Sequence, residues 1–164
     1  MPNVWQILHS VFTGSTSTGK FLPTRVPVVA MVVSEHDRHV LANVSGQEPV
    51  DVYFVESCEE ARALSSKLTA PVILFDRDWP GTEWRTAVRS LAASPHHACV
   101  VLVSGVADDY LRQELIRGNG YDVLPKPLRL DAVSRLIKLA SSYWTSTAQT
   151  SAPGTVAATR HARK

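Results

Sequence analysis

Four polar side chains in this sequence could together bind a metal ion and a phosphoryl group. They are Glu35, Asp76, Ser104 and Lys126, and each follows an apolar stretch of the chain. Carboxylate oxygens suit Mg²⁺, while hydroxyl and ammonium groups donate hydrogen bonds to phosphoryl oxygens. If the apolar stretches are strands of one parallel sheet, their carboxyl ends place these side chains at one edge. The residue types therefore favour a combined Mg²⁺ and phosphoryl site.

The elements that must position this site are strands and helices in alternation. Apolar runs predict strands over residues 26–33, 50–55, 71–75, 98–103 and 121–124. Helical periods lie between and after them, over residues 40–44, 57–68, 84–91, 111–116 and 130–140. The second helix begins with a capping box at Ser57–Glu60. Strands that are apolar on both faces and separated by helices indicate a doubly wound α/β domain with a parallel sheet.

The chain divides into three parts by composition. Residues 1–25 form an N-terminal extension, 26–144 form the domain, and 145–164 form a polar tail that we expect to be flexible. The extension contains a short amphipathic helix with apolar residues at helical spacing: Val4, Ile7, Leu8, Val11 and Phe12. We expect this helix to pack on its own domain or to fray, and a partner-binding helix is the alternative.

Composition excludes several functional classes. With 45% hydrophobic residues, 20% charged residues and a net charge of +2, we expect a globular protein that binds neither nucleic acid nor membranes. Cys58 and Cys99 lack the spacing of a disulfide framework, which favours a reducing cytoplasm. Residues 14–20 match GxxxxGK, but Phe21 replaces the hydroxyl residue that a phosphate-binding loop needs.

Three motifs carry a resemblance to a known family. Residues 74–81 (LFDRDWPG), 101–105 (VLVSG) and 120–127 (GYDVLPKP) occur in the order and spacing of response-regulator receiver domains. The chain over residues 26–144 resembles this family. The resemblance implies a flavodoxin-like sheet of five strands in the order 2-1-3-4-5.

The resemblance also implies a role for each site residue. Asp76 would accept a phosphoryl group from a sensor histidine kinase or a phosphotransfer protein, and Ser104 and Lys126 would contact the phosphoryl oxygens. Mg²⁺ would be bound by Glu35, Asp76 and the backbone carbonyl of Asp78.

Two positions depart from the family pattern. The adjacent acids expected after the first strand are Ser34 and Glu35 here, so one carboxylate is missing and Mg²⁺ binding is expected to be weaker. Asp37 or Asp78 could compensate in part. The switch position, often aromatic in the family, is Val123.

These observations leave several functions open. The leading hypothesis is a single-domain response regulator, not an enzyme, that is phosphorylated on Asp76 and signals to a downstream protein that the sequence does not identify. The alternative is a pseudo-receiver that binds protein without phosphorylation, and Ser34 supports it. An enzyme that binds a nucleotide or flavin has only the GxxxxGK match in its favour.

Overall fold

The structure is a computed structural model that describes residues 25–150, with side chains described over residues 25–147. The strands are β1 (Val26–Met31), β2 (Val50–Phe54), β3 (Val72–Asp76), β4 (Cys99–Ser104) and β5 (Asp122–Pro125). The helices are α1 (Glu35–Gln47), α2 (Cys58–Leu68), α3 (Trp84–Ala92), α4 (Asp109–Arg117) and α5 (Leu130–Thr150). No helix within the described range is long and apolar enough to cross a bilayer. The predicted lead helix and the GxxxxGK motif lie outside the described residues.

The five strands form one parallel sheet in the order β2-β1-β3-β4-β5, which confirms the predicted fold class. β3 is the central strand and pairs with β1 through Met31 and Phe75. On its other side, Asp76 pairs with Val103 of β4. The ends of β3, β4 and β5 therefore lie next to one another at the edge where the sequence places the site.

Apolar side chains fill both faces of the sheet. On one face, α2, α3 and α4 pack against alternate strand residues such as Ile73 and Phe75. On the other, α1 and α5 pack against the residues between them, such as Leu74 and Val101. This two-sided burial explains why the strands read as continuous apolar runs in the sequence.

The site-bearing edge differs from the prediction in where its strands end. β3 and β4 each extend one residue further than predicted and include Asp76 and Ser104. β1 ends at Met31, two residues before the predicted end at Val33. The reason is that the Val33 N–H donates to the Asp76 carboxylate and does not continue the strand.

Structural elements continue across both predicted domain boundaries. Arg25, assigned to the extension, ion-pairs with Asp51 at 2.7 Å and donates to the Ser45 carbonyl at 2.7 Å. α5 continues past the predicted boundary at 144 to Thr150, so residues 145–150 are helical. The Thr145 hydroxyl donates to the carbonyl of Ser141 at 2.8 Å, which satisfies it within the helix.

Serine side chains begin two of the helices. Ser57 caps α2 by accepting a hydrogen bond from the Glu60 N–H at 3.1 Å, as predicted. The Glu60 carboxylate accepts from the N–H of Glu56, one residue earlier than in a standard capping box. Ser34 caps α1 and accepts from the Asp37 N–H at 3.5 Å. Ser34 therefore has a structural use as the N-cap of α1.

Asp37 connects α1 to the loop that follows β5. Its carboxylate is 1% exposed, and Oδ1 accepts a hydrogen bond from the N–H of Leu128 at 3.1 Å. Asp37 Oδ1 is thus bound to backbone in the core and fixes the loop that contains Lys126. Assistance from Asp37 at a metal site stays a prediction.

We expect Asp37→Ala to lower the free energy of unfolding by about 1–3 kcal/mol, since the buried Leu128 N–H loses its acceptor. Asp37→Asn keeps the Oδ1 acceptor and should lose less. Urea unfolding of the two variants beside the native chain measures the difference. Equal losses would show that the charge of Asp37, and not its hydrogen bond, stabilises the loop.

Candidate functional site

Asp76 is the buried centre of the site. It ends the central strand and its side chain is 0% exposed. Oδ1 accepts hydrogen bonds from the Lys126 ammonium at 2.6 Å and from the Asp78 N–H at 3.0 Å. Oδ2 accepts from the Val33 N–H at 3.0 Å. Both oxygens of this carboxylate are therefore hydrogen-bonded within the protein.

Lys126 joins the two acidic side chains of the site. Its Nζ lies 2.6 Å from Asp76 Oδ1 and 3.3 Å from Asp78 Oδ2. Burial is the largest influence on the ammonium and lowers its pKa, but the hydrogen bonds and charges of Asp76 and Asp78 outweigh it. The net pKa of Lys126 is raised above its ordinary value, so the ammonium remains charged against Asp76.

The loop after Asp76 is shaped by backbone hydrogen bonds. The Arg77 N–H donates to the Val103 carbonyl at 2.9 Å, and the Trp79 N–H donates to the Asp76 carbonyl at 3.1 Å. Gly81 has φ +73°, a left-handed conformation that glycine adopts without steric cost. In the loop that begins after Asp76, the Asp78 N–H donates to the Asp76 carboxylate. The Asp78 side chain is 69% exposed.

Ser104 lies on the neighbouring strand end, as predicted. It is 1% exposed, and its hydroxyl oxygen accepts a hydrogen bond from the Val106 N–H at 3.1 Å. Its carbonyl accepts from the Lys126 N–H at 2.9 Å, which fixes the backbone of Lys126 beside β4. Contact between the Ser104 hydroxyl and a phosphoryl group stays a prediction.

The residues present fit the expected Mg²⁺ ion poorly. Glu35 is an exposed residue in the first turn of α1, while Asp76 and Asp78 share the Lys126 ammonium. Among the residues that the structure describes, no group of three or more His, Cys, Asp or Glu side chains is placed to bind a metal ion. A hard divalent cation in proteins usually needs several oxygen ligands.

Two valines, Val32 and Val33, follow β1 at the point where the chain contacts Asp76. Met31 pairs with Phe75 at the last position of the register between β1 and β3, and two residues later the Val33 N–H donates to Asp76 Oδ2. Val32 is fully buried in the apolar cluster beneath α1 and α5, and Val33 follows it. The hydrogen bond that reaches Asp76 from the segment after β1 therefore comes from a valine, and not from the predicted ligand Glu35.

The sequence placed Asp76 and Lys126 at one edge of the sheet but did not predict their ion pair or three further contacts. The Val33 N–H and the Asp78 N–H bind Asp76, and backbone donors leave no signal in residue types. The Asp78 carboxylate accepts a hydrogen bond from Lys126, a contact that was not predicted. The predicted switch position, Val123, is 2% exposed and packs in the core beneath α3 and α4.

Sequence comparisons identify no relative. No protein-family model matches the chain, and no curated protein shows significant similarity to it.

The fold is shared with solved structures of receiver domains. The structure is similar to the signal receiver domain of an HD domain-containing protein from Pseudomonas fluorescens Pf-5 (TM-score 0.68, 16% identity, 81% of this chain and 98% of that one). It is also similar to a response regulator from Thermotoga maritima (TM-score 0.63, 19% identity, 72% of this chain and 98% of that one). A third similar structure is the receiver domain of Ssk1 from Saccharomyces cerevisiae, co-crystallised with the histidine phosphotransfer protein Ypd1 (TM-score 0.59, 15% identity, 70% of this chain and 88% of that one). The chain therefore has the flavodoxin-like fold of response-regulator receiver domains.

Proposed function

We propose that this chain is a receiver-fold signalling module that acts by binding another protein, with Asp76 serving as the fixed charge partner of Lys126. The observation that carries this proposal is that the segment after β1 contacts Asp76 through the backbone N–H of Val33, a residue that brings no carboxylate to the site. A phosphoacceptor that depends on a divalent cation needs further carboxylates at this contact. This proposal corresponds to the pseudo-receiver alternative.

The hydrogen bonds of Asp76 support the same conclusion. Attack on phosphorus requires an accessible carboxylate oxygen, whereas Asp76 is 0% exposed and both of its oxygens accept bonds. Phosphoryl transfer relies on positioning and on neutralisation of charge on the transferred group. Lys126 supplies one positive charge here, and its ammonium is already ion-paired with the carboxylates of Asp76 and Asp78.

Metal-dependent phosphorylation of Asp76 by a histidine kinase or phosphotransfer protein is the second candidate. The observation that favours it is the placement of Asp76, Ser104 and Lys126 at the adjoining ends of β3, β4 and β5. The fold neighbour Ssk1 was crystallised with a histidine phosphotransfer protein, which indicates the kind of donor to test.

The two candidates predict different reactions with a small phosphoryl donor. We expect the native chain to gain no phosphoryl mass during incubation with acetyl phosphate, at any Mg²⁺ concentration, because the site lacks the carboxylates for the cation. Intact-mass spectrometry measures this directly. Val33→Asp, which adds a carboxylate at a 50% exposed position next to the Asp76 contact, is the matched variant and should gain Mg²⁺ affinity. Addition of one phosphoryl group to the native chain, absent in Asp76→Asn, would establish the phosphoacceptor instead.

Asp76→Asn tests the structural role of the carboxylate. We expect this variant to lose about 1–3 kcal/mol of unfolding free energy, because Asn retains an acceptor oxygen but leaves the Lys126 ammonium without its buried counter-charge. Asp78→Asn, at the exposed end of the same ammonium, should change stability by about 0.5 kcal/mol or less. Urea unfolding at neutral pH compares them. A more stable Asp76→Asn would mean that repulsion between carboxylates dominates the site, as in a metal-binding acid cluster.

A further inference from the structure

An open groove of about 1060 Å³ lies at the opposite edge of the sheet from Asp76. Its walls are formed by the end of α3 and the loop that enters β4, by Ile116 of α4 and the loop that enters β5, and by the second half of α5. This surface is called the uncharged groove. We propose that residues 3–12 of the same chain bind in the uncharged groove as an amphipathic helix. The inference concerns a surface remote from Asp76 and does not depend on whether Asp76 is phosphorylated.

The lining of the uncharged groove specifies an apolar, uncharged occupant. None of the 14 residues that line it within the described part of the chain is Asp, Glu, Lys or Arg, although such residues make up 20% of the full sequence. Ile116 and Tyr143 are 60% and 55% exposed there, and the rings of Tyr121 and Tyr143 are in contact with centroids 5.4 Å apart. Adjacent exposed apolar side chains of this kind typically mark a binding surface.

Exposure of Ile116 is itself unexpected from the sequence. The helical period groups Ile116 with Leu115 and Leu111 as a core residue, and those two leucines are buried. Ile116 instead projects into the uncharged groove. A partner that covers this side chain removes its apolar surface from water, which favours binding.

Residues 3–12 match the chemistry of the groove. The first 13 residues contain no Asp, Glu, Lys or Arg. Val4, Ile7, Leu8 and Val11 fall on one side of a helix that Asn3 would cap, so an apolar stripe faces one direction. The C-terminal segment is a poorer candidate, because it carries Arg160, Arg163 and Lys164 and few apolar residues.

The connecting chain is long enough to reach the groove. β1 begins at Val26, and in a parallel sheet the first residues of β1, β4 and β5 lie at the same edge. The start of β1 is three strand spacings from the start of β5, or about 15 Å. The 12 residues from Thr13 to Thr24 span up to roughly 40 Å when extended. A helix of ten residues is about 15 Å long and can therefore be placed along the groove.

Binding of residues 3–12 would have a consequence for signalling. The segment would cover Ile116 and Tyr143, two exposed apolar side chains on α4 and α5. A protein partner that uses these side chains would have to displace the segment. The N-terminal segment would thus compete with partners for this face of the domain.

Paramagnetic broadening of amide signals tests the proposal on the full chain. A nitroxide is attached at Gln6→Cys, which lies on the polar side of the predicted helix, in a Cys58→Ser background. Cys99 is buried, and burial raises the pKa of its thiol to about 11, so it stays protonated and unreactive at neutral pH. We expect the Asn119, Gly120 and Tyr121 amides beside the groove to be broadened. The Gly105 amide at the opposite edge should be unaffected.

A groove variant and a mixed sample decide between the possible occupants. Ile116→Ser combined with Tyr143→Ser should abolish the broadening, while Leu139→Ser, 58% exposed on α5 but outside the groove lining, should preserve it. In a mixture of nitroxide-labelled chains with separate isotope-labelled chains, the broadening should disappear. Broadening in that mixture would assign the groove to a second copy and overturn the proposal. Absence of broadening at the groove in the labelled chain, or its persistence in the groove variant, would also overturn it.

Discussion

The ion pair between Asp76 and Lys126 is the contact on which the rest of the site depends. β4 lies between β3 and β5, so the two backbones are about 10 Å apart. A long side chain is needed to cross that distance, and Lys126 places its ammonium 2.6 Å from Asp76 Oδ1. Burying a lone carboxylate in an apolar sheet would cost several kcal/mol. The ammonium and two backbone N–H groups donate to the carboxylate and together offset this free-energy cost of burying Asp76.

The position of Lys126 depends in turn on Asp37. Asp37 Oδ1 accepts the Leu128 N–H, and the Ser104 carbonyl accepts the Lys126 N–H. α1 and β4 thus fix the backbone on both sides of the lysine side chain. Two buried carboxylates, one at the end of β3 and one in the first turn of α1, organise the same loop. Both act here through hydrogen bonds to the protein, which is the arrangement expected of a structural polar network.

The two edges of the sheet have opposite chemical character. Charged side chains and backbone N–H groups converge at the carboxyl ends of the strands, whereas the amino ends of β4 and β5 border the uncharged groove. The two edges are separated by the length of the strands. The Asp76 site at one edge is therefore distant from the uncharged groove at the other. The Trp144 indole N–H, bound to the His96 carbonyl at 2.7 Å, ties α5 to the loop at the groove edge. The extension of α5 to Thr150 therefore continues a helix already anchored beside the groove.

The pattern of apolar runs was sufficient to predict the parallel α/β sheet, because burial on both faces imposes nearly continuous apolar strands. The same pattern brought Asp76, Ser104 and Lys126 to one edge, since strand ends in a parallel sheet share a direction. It could not identify the residue after β1 that contacts Asp76, which is Val33 through its backbone N–H and not Ser34 or Glu35. The apolar period of the helices also did not show that Ile116 is exposed or that α5 continues to Thr150. Which side of a helix is covered, and how far a helix continues, depends on contacts with distant segments, and those contacts leave no periodic signal in the chain. The hydrogen bonds of Asp76 with Val33 and Asp78 are likewise invisible in sequence, because every residue type except proline offers the same backbone donor.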